Sequence, residues 1–229
     1  MPNWCENVAV IWHPDKRKIK RLVQAFQGPG LMQEFYPCPQ DLLDTRSGFY
    51  HESSPEYAEH NQKQKDNEAK YGHPDWFGWQ NANWGTKWDV KSEHCSQVEM
   101  ATCGHTVTLK FDSAWSPPIN FYSYMEVEHG FKIDAYYFEG GVGFCGQWRG
   151  GNDDFYDVPE TSDEVVAKIP AMIDKMFAIS EHMSDCESEQ EDEDEDDDYE
   201  EDEEDEEDEE DEEDEEDEDE DDDNEDEDE

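Results

Sequence analysis

The stretch "FKIDAYYFEGGVGFCGQW", residues 131–148, contains two aromatic-rich runs on either side of Gly140 and Gly141. Apolar residues at every second position are typical of a strand, and a glycine pair between two such runs favours a tight turn. The stretch therefore predicts a β-hairpin. It is the strongest strand signal in the chain, and weaker signals on either side of it indicate the remaining elements.

Strands and helices alternate on the N-terminal side of this hairpin. Alternating apolar residues predict strands at "ENVAVIW" (6–12) and "HTVTLKF" (105–111). Helical spacing predicts helices at "HPDKRKIKRLVQAFQGPG" (13–30) and "SPPINFYSYMEVEHG" (116–130). Because prolines disfavour a central strand, "MQEFYPCPQ" (32–40) predicts a short edge strand.

A last helix is predicted at "TSDEVVAKIPAMIDKMF", residues 161–177, with a kink at Pro170 and an apolar stripe that docks on the domain. The order β-α-β-insertion-β-α-β-β-α predicts an α+β, ferredoxin-like fold. In that fold, an antiparallel sheet carries its helices on one face.

A long insertion, at about residues 40–104, interrupts this pattern. Residues 54–70 are polar and predict an exposed helix, whereas "WFGWQNANWGTKWD", residues 76–89, holds four of the eight tryptophans. Tryptophans beside amides could stack on sugars or unpaired bases. Packing is the favoured interpretation, because these rings are the large apolar groups that could anchor the insertion on the sheet.

Charge divides the chain in two. The sequence has 67 Asp and Glu against 16 Lys and Arg, and residues 185–229 hold 40 of those acids in 45 positions. The remaining 67 − 40 = 27 acids give residues 1–184 a net charge of 16 − 27 = −11. We therefore expect a folded domain at 1–184 and a disordered polyacidic tail at 185–229.

Four stretches together resemble the YubB-type ferredoxin-like domain family of plasmids and bacteriophages. They are "MPNWCEN" (1–7), "NWGTKWD" (83–89), "FDSAWSPP" (111–118) and "YYFEGGVGFCG" (136–146). The resemblance implies a ferredoxin-like fold and a mobile-element origin, and no biochemical activity is assigned to the family. Two features depart from the family: Ser113 stands where threonine is usual, and the acidic tail is not a family feature.

The leading hypothesis is a non-enzymatic interaction protein whose acidic tail engages basic, nucleic-acid-binding host or mobile-element proteins as a polyanion decoy. The acidic body argues against direct nucleic-acid binding by the intact chain. No cofactor is expected, and the usual catalytic motifs are absent from the sequence. The chain has neither an apolar run long enough for a membrane span nor a signal peptide, so we expect it in the cytoplasm.

The alternative hypothesis is an enzyme or small-ligand binder with a pocket at the insertion. Its candidate residues are Asn83, Trp84, Lys87, Trp88, Asp89, Trp115 and Glu139. A basic helix face, either for docking the tail or for binding phosphate, would consist of Lys16, Arg17, Lys18, Lys20 and Arg21. A zinc site is only weakly indicated, because the possible ligands His94, Cys95, Cys103 and His105 lack the usual close cysteine pair.

Overall fold

The fold is described from a computed structural model, which covers residues 3–92 and 96–200, with side chains up to residue 189. The chain divides into two compact units, residues 1–184 and 185–229, and the division falls where the acidic run begins. Within the described residues, no helix is both long and apolar enough to cross a membrane.

In the described part of the first unit, six strands form one antiparallel sheet in the order β2-β3-β1-β4-β5-β6. The strands are β1 (Trp4–Trp12), β2 (Gln97–Met100), β3 (Thr106–Ala114), β4 (Lys132–Glu139), β5 (Phe144–Arg149) and β6 (Asn152–Asp157). Strand β1 lies between β3 and β4 and is antiparallel to both. The connection from β3 to β4 therefore passes over β1.

The helices of the described residues precede, interrupt and follow the sheet. They are α1 (Lys16–Phe26), α2 (Leu31–Phe35), α3 (Gln40–Leu43), α4 (Tyr57–Tyr71), α5 (Trp76–Trp84), α6 (Ile119–His129), α7 (Ser162–Lys168), α8 (Ala171–Phe177) and α9 (Ile179–Glu200). The predicted stripe of α1 is buried, as is most of one face of α6. Helix α6 begins later than its sequence suggests, because Ser116 Oγ donates to the carbonyl of Gly85 instead of capping the helix.

The predicted hairpin is confirmed as β4 and β5. The Glu139 carboxylate fixes its turn by accepting hydrogen bonds from the backbone N–H groups of Gly141 at 2.9 Å and Val142 at 2.6 Å. A second turn follows at Gly150 and Gly151, whose φ values of 55° and 87° suit glycine, and it leads into β6. Neither β6 nor β2 is predicted by the sequence, because their residues are mostly polar.

The two faces of the sheet are covered differently. On the first, which we call the closed face, buried strand residues pack against α1, α2, α5 and α6 in one core. These strand residues are Ala9, Ile11, Val107, Leu109, Phe111, Ile133, Ala135 and Trp148. This core holds most of the buried apolar side chains of the described residues.

On the opposite face, which we call the half-open face, a smaller core joins Cys145 of β5 to Val165, Ile169 and Ile173 of α7 and α8. Helix α8 packs against β4 and β5. The prediction of helices on one face is therefore wrong. The physical reason is that β4 is apolar on both sides, since Tyr136 and Phe138 alternate with its closed-face residues and also require cover.

Two local predictions also differ from the structure. The predicted edge strand at 32–40 is not formed. Residues 32–35 belong to helix α2, where the Asp89 carboxylate accepts hydrogen bonds from the N–H groups of Met32 and Gln33, and residues 36–39 are neither helix nor strand. The proline in the last predicted helix breaks it completely, separating α7 from α8.

Helix α9 extends into the first part of the acidic segment, residues 185–200, and the expected disorder of residues 185–229 stays a prediction. This helix begins at Ile179, which is buried in the smaller core. Once a helix is anchored in this way, each further residue adds a backbone hydrogen bond without a new nucleation cost. Residues 201–229 lie outside the described residues.

Candidate functional site

The tryptophan-rich segment forms helix α5, which begins where Asp75 accepts hydrogen bonds from two backbone N–H groups of the first turn. Trp79 is buried, and Trp84 is only 1 % exposed. The indole Nε1–H of Trp84 donates to the carbonyl of Tyr36 at 2.8 Å. The packing interpretation is therefore correct for these two tryptophans, which anchor the insertion in the main core.

Three other residues of the predicted pocket also carry structural contacts, in different parts of the fold. Asn83 accepts a hydrogen bond from the Tyr36 hydroxyl at 2.6 Å, and its amide donates to a carbonyl of its own helix. Asp89 caps α2, and its burial raises its pKa although the hydrogen bonds to its oxygens lower it. Glu139 holds the β4–β5 turn.

The exposed aromatic residues form a separate surface near the start of β1. Trp4 is 47 % exposed, and its ring centroid lies 6.0 Å from that of Trp88, which is 38 % exposed. The ammonium of Lys87 lies 4.6 Å from the Trp88 ring centroid and 5.7 Å from that of Phe77. The Lys87 ammonium therefore lies within cation–π distance of the Trp88 and Phe77 rings.

Trp115 is also about half exposed, and its backbone N–H donates to the carbonyl of Asn3. Its φ of 71° lies in the left-handed region, which is unfavourable for a bulky side chain. The backbone of the predicted pocket residue Trp115 is thus tied to the residue before Trp4. Lys87 and Trp88 are the members of the predicted set that the structure clearly brings into contact.

A groove on the half-open face was not predicted by the sequence. It has a volume of about 570 Å³ and lies between the end of α8 and strands β1 and β3. Its lining includes Trp4, Glu6, Lys110, Asp112 and Phe177. Among its charged groups, the two carboxyl residues are direct partners across the β1–β3 ladder.

The Glu6 carboxyl is affected by its surroundings in this groove. Although Glu6 is exposed, partial desolvation raises its pKa, Asp112 raises the pKa further, and His182 of α9 lowers it. The sequence could have revealed this pair only through the register of β1 against β3, because each acid occupies an ordinary outward position of its own strand. The two residues are 106 positions apart in the chain.

A buried polar cluster lies on the other side of β1 and β3. The Asn7 amide donates to the Cys5 carbonyl at 2.7 Å and to Ser113 Oγ at 2.9 Å, and Ser113 Oγ donates to the Ser116 carbonyl. Burial raises the pKa of the Cys5 thiol above its usual range. A thiol in this state is a poor nucleophile, so this cluster serves to hold the strands together.

The predicted basic face lies on α1, and three of its five cations contact other groups of the protein. Arg17 pairs with Asp15 at 2.8 Å, and the ammonium of Lys18 donates to the carbonyl of His129. Arg21 pairs with Glu34 at 2.7 Å. Lys16 and Lys20 are exposed.

Two of the four weakly indicated zinc ligands, His94 and Cys95, lie outside the described residues. Of the other two, Cys103 is exposed, and His105 Nδ1 lies 3.1 Å from the carbonyl oxygen of His13. Across the residues that the structure describes, no three His, Cys, Asp or Glu side chains are grouped closely enough to hold a metal ion.

Comparison with known proteins gives one structural neighbour to report. It is the crystal structure of the protein api92 from Yersinia pseudotuberculosis, which carries the family model DUF1281. The two are 10 % identical in sequence, with a TM-score of 0.35, over 69 % of this chain and 99 % of that one. At these values the similarity carries no argument about fold or function. No family model matches the chain, and no curated protein matches it.

Proposed function

We propose that the protein is a non-enzymatic interaction protein whose acidic C-terminal unit binds basic, nucleic-acid-binding proteins as a polyanion decoy. The observation that carries this proposal is the composition of residues 185–229, with 40 acids in 45 positions and no Lys or Arg. Such a run attracts Lys- and Arg-rich surfaces at long range, with a strong dependence on salt.

The charge spacing of this unit supports the decoy idea. In an extended chain, successive residues are about 3.3–3.6 Å apart, close to the ~3.4 Å spacing of charges along one DNA strand. Residues 185–200 are helical, and their sequence contains 12 Asp or Glu in 16 positions. At a rise of about 1.5 Å per residue, this is one acid every ~2 Å, near the ~1.7 Å charge spacing of duplex DNA.

The first unit is consistent with this role. Its net charge of −11 opposes binding to nucleic acid, and Arg17, Lys18 and Arg21 of the basic face each have a partner within the fold. The partner in this proposal is therefore a basic protein and not a nucleic acid.

The proposal also includes the assignments that follow from the resemblance to the YubB-type family. The first unit is proposed to be a ferredoxin-like domain, which the α6 crossover over β1 supports. The protein is proposed to come from a plasmid or phage and to act in the host cytoplasm. A basic host or mobile-element protein is then the partner.

The test compares the intact protein with a full-length variant in which a Gly-Ser segment of equal length replaces residues 201–229. Binding of a short oligolysine peptide is measured by calorimetry at several salt concentrations. We expect the variant to bind at least about tenfold more weakly at low salt, with a smaller salt dependence, because fewer counterions and charges take part.

The matched control is a variant in which the order of residues 201–229 is shuffled without changing their composition. Because the attraction depends on charge density, this variant should bind like the intact protein. The intact protein should also compete with single-stranded DNA for a basic DNA-binding protein. Equal affinity and equal salt dependence for the intact and Gly-Ser proteins would overturn the proposal.

A further inference from the structure

Strand β6 forms one edge of the sheet, and within the described residues no strand pairs with its outer side. The backbone N–H of Val158 donates to the carbonyl of Gly143 at 2.8 Å, and this bond fixes the pattern of the β5–β6 ladder. Hydrogen-bonded and non-hydrogen-bonded pairs alternate in an antiparallel ladder, so every second residue of β6 bonds to β5. The residues between them, whose N–H and C=O groups point outward, are Asp153, Phe155 and Asp157.

This edge lacks several of the features that usually prevent further pairing. Proteins commonly blunt an edge strand with proline, lysine or a β-bulge. The sequence of β6, NDDFYD, contains neither proline nor lysine. Its pairing with β5 is continuous, without a bulge, and five of its six residues are exposed. The outward backbone groups therefore form an accessible template for one more extended segment.

A row of aromatic rings leads from the interior of the sheet to the same edge. Tyr137 of β4 is buried, and its hydroxyl donates to Asp153 Oδ1 at 2.6 Å. The ring centroid of Phe144 lies 6.2 Å from that of Tyr137 and 5.5 Å from that of Phe155. Phe155 ends the row and is 53 % exposed. Because an aromatic ring pairs favourably with a β-branched residue directly opposite, Phe155 offers an apolar anchor to an added strand.

The charges of the edge decide which segment suits it. Asp153 and Asp157 each lie two residues from Phe155, so the three side chains share one face of the sheet. If two copies of the chain paired antiparallel about Phe155, Asp153 of each copy would face Asp157 of the other. Like charges directly opposite are destabilising, so a second copy is disfavoured. A segment with Lys or Arg at these two positions is complementary instead.

We propose that β6 binds an extended basic segment of a partner protein as an additional antiparallel strand. The segment carries Lys or Arg opposite Asp153 and Asp157 and a β-branched residue opposite Phe155. The inference rests on the proposed function, since it gives the same class of partner a second contact, on the first unit. The two contacts differ in kind, because binding to β6 requires backbone pairing whereas attraction to the acidic unit depends on charge.

The test adds the peptide acetyl-Thr-Lys-Thr-Val-Thr-Lys-Thr-amide to the full-length protein and follows the backbone amide resonances of β6. The amide protons of Asp153, Phe155 and Asp157 should move downfield to saturation and exchange more slowly with solvent, because they gain acceptors. The amide protons of Asp154 and Tyr156 already bond to β5 and should change little.

Two N-methylated peptides separate backbone pairing from charge. N-methylation of the central valine removes the N–H that meets Phe155 and should weaken binding at least about tenfold. The matched control carries the methyl group on the next threonine, whose N–H points away from β6, and should bind like the unmodified peptide. Both peptides have the same charge, so attraction to the acidic unit cannot produce this difference.

Variants of the protein test the same edge. Phe155→Pro removes an outward N–H without removing a bond to β5, and Phe155→Ala is its matched control because it loses the same ring. Phe155→Pro should bind at least about tenfold more weakly than Phe155→Ala, followed through Asp153 and Asp157. Asp157→Asn should weaken binding about threefold, and Asp154→Asn, on the other face, should not. An unchanged melting temperature shows that a variant still folds.

Equal binding of the two N-methylated peptides, or of a peptide with Glu in place of Lys, would overturn the proposed strand addition. Shifts of the β6 amides that depend on protein concentration in the absence of peptide would overturn it as well, in favour of pairing between copies. The Gly-Ser variant of residues 201–229 keeps β6 and should retain the response. Failure of the decoy function would appear in oligolysine binding alone, and failure of the edge site would appear in the β6 resonances alone.

Discussion

The two faces of the sheet differ in how completely they are covered. On the closed face, alternate residues of β1 such as Ala9 and Ile11 are fully buried under α1 and α6. On the half-open face, Val8 and Val10 of the same strand are only half-buried, and Trp4 and Trp12 are exposed. One strand thus supplies both the interior of the domain and an accessible surface. The closed face holds the larger core, whereas the half-open face holds the smaller core and leaves part of β1 accessible to solvent.

The largest effect that would test this difference is the loss of a closed-face anchor. Trp84→Ala should lower the free energy of unfolding by about 3–5 kcal/mol, because it removes a buried indole and its hydrogen bond to Tyr36. Trp12→Ala, on the half-open face, should cost about 1 kcal/mol. Denaturant unfolding of both variants gives the comparison. Similar losses would show that the two faces contribute alike.

The next effect concerns the cover of the half-open face. Ile173→Ala in α8 should cost about 2–4 kcal/mol, because Ile173 is buried in the smaller core. Met172→Ala is the matched control, since Met172 is 60 % exposed on the same helix and should change stability by less than about 0.5 kcal/mol.

Ile173→Ala also tests whether the half-open face of the sheet can open while the closed face stays covered. Burial raises the pKa of Cys145, under α8, to about 11, so its thiol is unreactive in the intact protein. Ile173→Ala should speed alkylation of Cys145 while Cys5, on the closed face, remains protected. Equal labelling of the two cysteines, followed by mass spectrometry, would mean that the faces do not open separately.

The smallest effect concerns the contact that holds α2 against the closed face. Asp89→Ala should cost about 0.5–2 kcal/mol, as for the loss of a helix cap, because two backbone N–H groups lose their acceptor. Asp89→Asn keeps an oxygen acceptor and should cost less. A collision with the Asp89 carboxylate also explains why Gly30, at φ 138°, has no room for a side chain.

The pH dependence of Asp89 has a definite sign. Since burial raises its folded pKa above the unfolded value, its contribution to stability is fully present below the unfolded pKa and declines as the pH rises through the folded pKa. Asp89→Asn should remove this part of the decline. Thermal unfolding of both proteins across the carboxyl titration range provides the measurement, and parallel curves would contradict the assignment.

The sequence correctly predicted the elements whose signal lies in neighbouring residues. The hairpin around Gly140 and the apolar stripe of α1 are recognisable because strand and helix periodicity are properties of neighbouring residues. The packing of Trp79 and Trp84 followed from the shortage of other apolar groups in the insertion. Patterns failed where a distant residue decides, as when Asp89 turns residues 31–35 into a helix.

The groove on the half-open face could not be predicted from the sequence, for the same reason. Glu6 and Asp112 become neighbours only through the register of β1 against β3, and Trp4 meets Trp88 only after the insertion folds back. The residues that the sequence favoured for a pocket, such as Asn83 and Glu139, instead satisfy hydrogen bonds within the fold. A sequence shows which side chains are capable of chemistry, but not which of them the fold already uses.

The sequence alone determined the hairpin, the stripe of the first helix and the polyanionic character of residues 185–229, because periodicity and charge are carried by adjacent residues. Only the tertiary structure decided that helices cover both faces of the sheet and that part of one face stays open. It also decided that Trp84 is buried while Trp4 and Trp88 are exposed. Burial depends on contacts between residues far apart in the chain, and these form only when the whole domain folds.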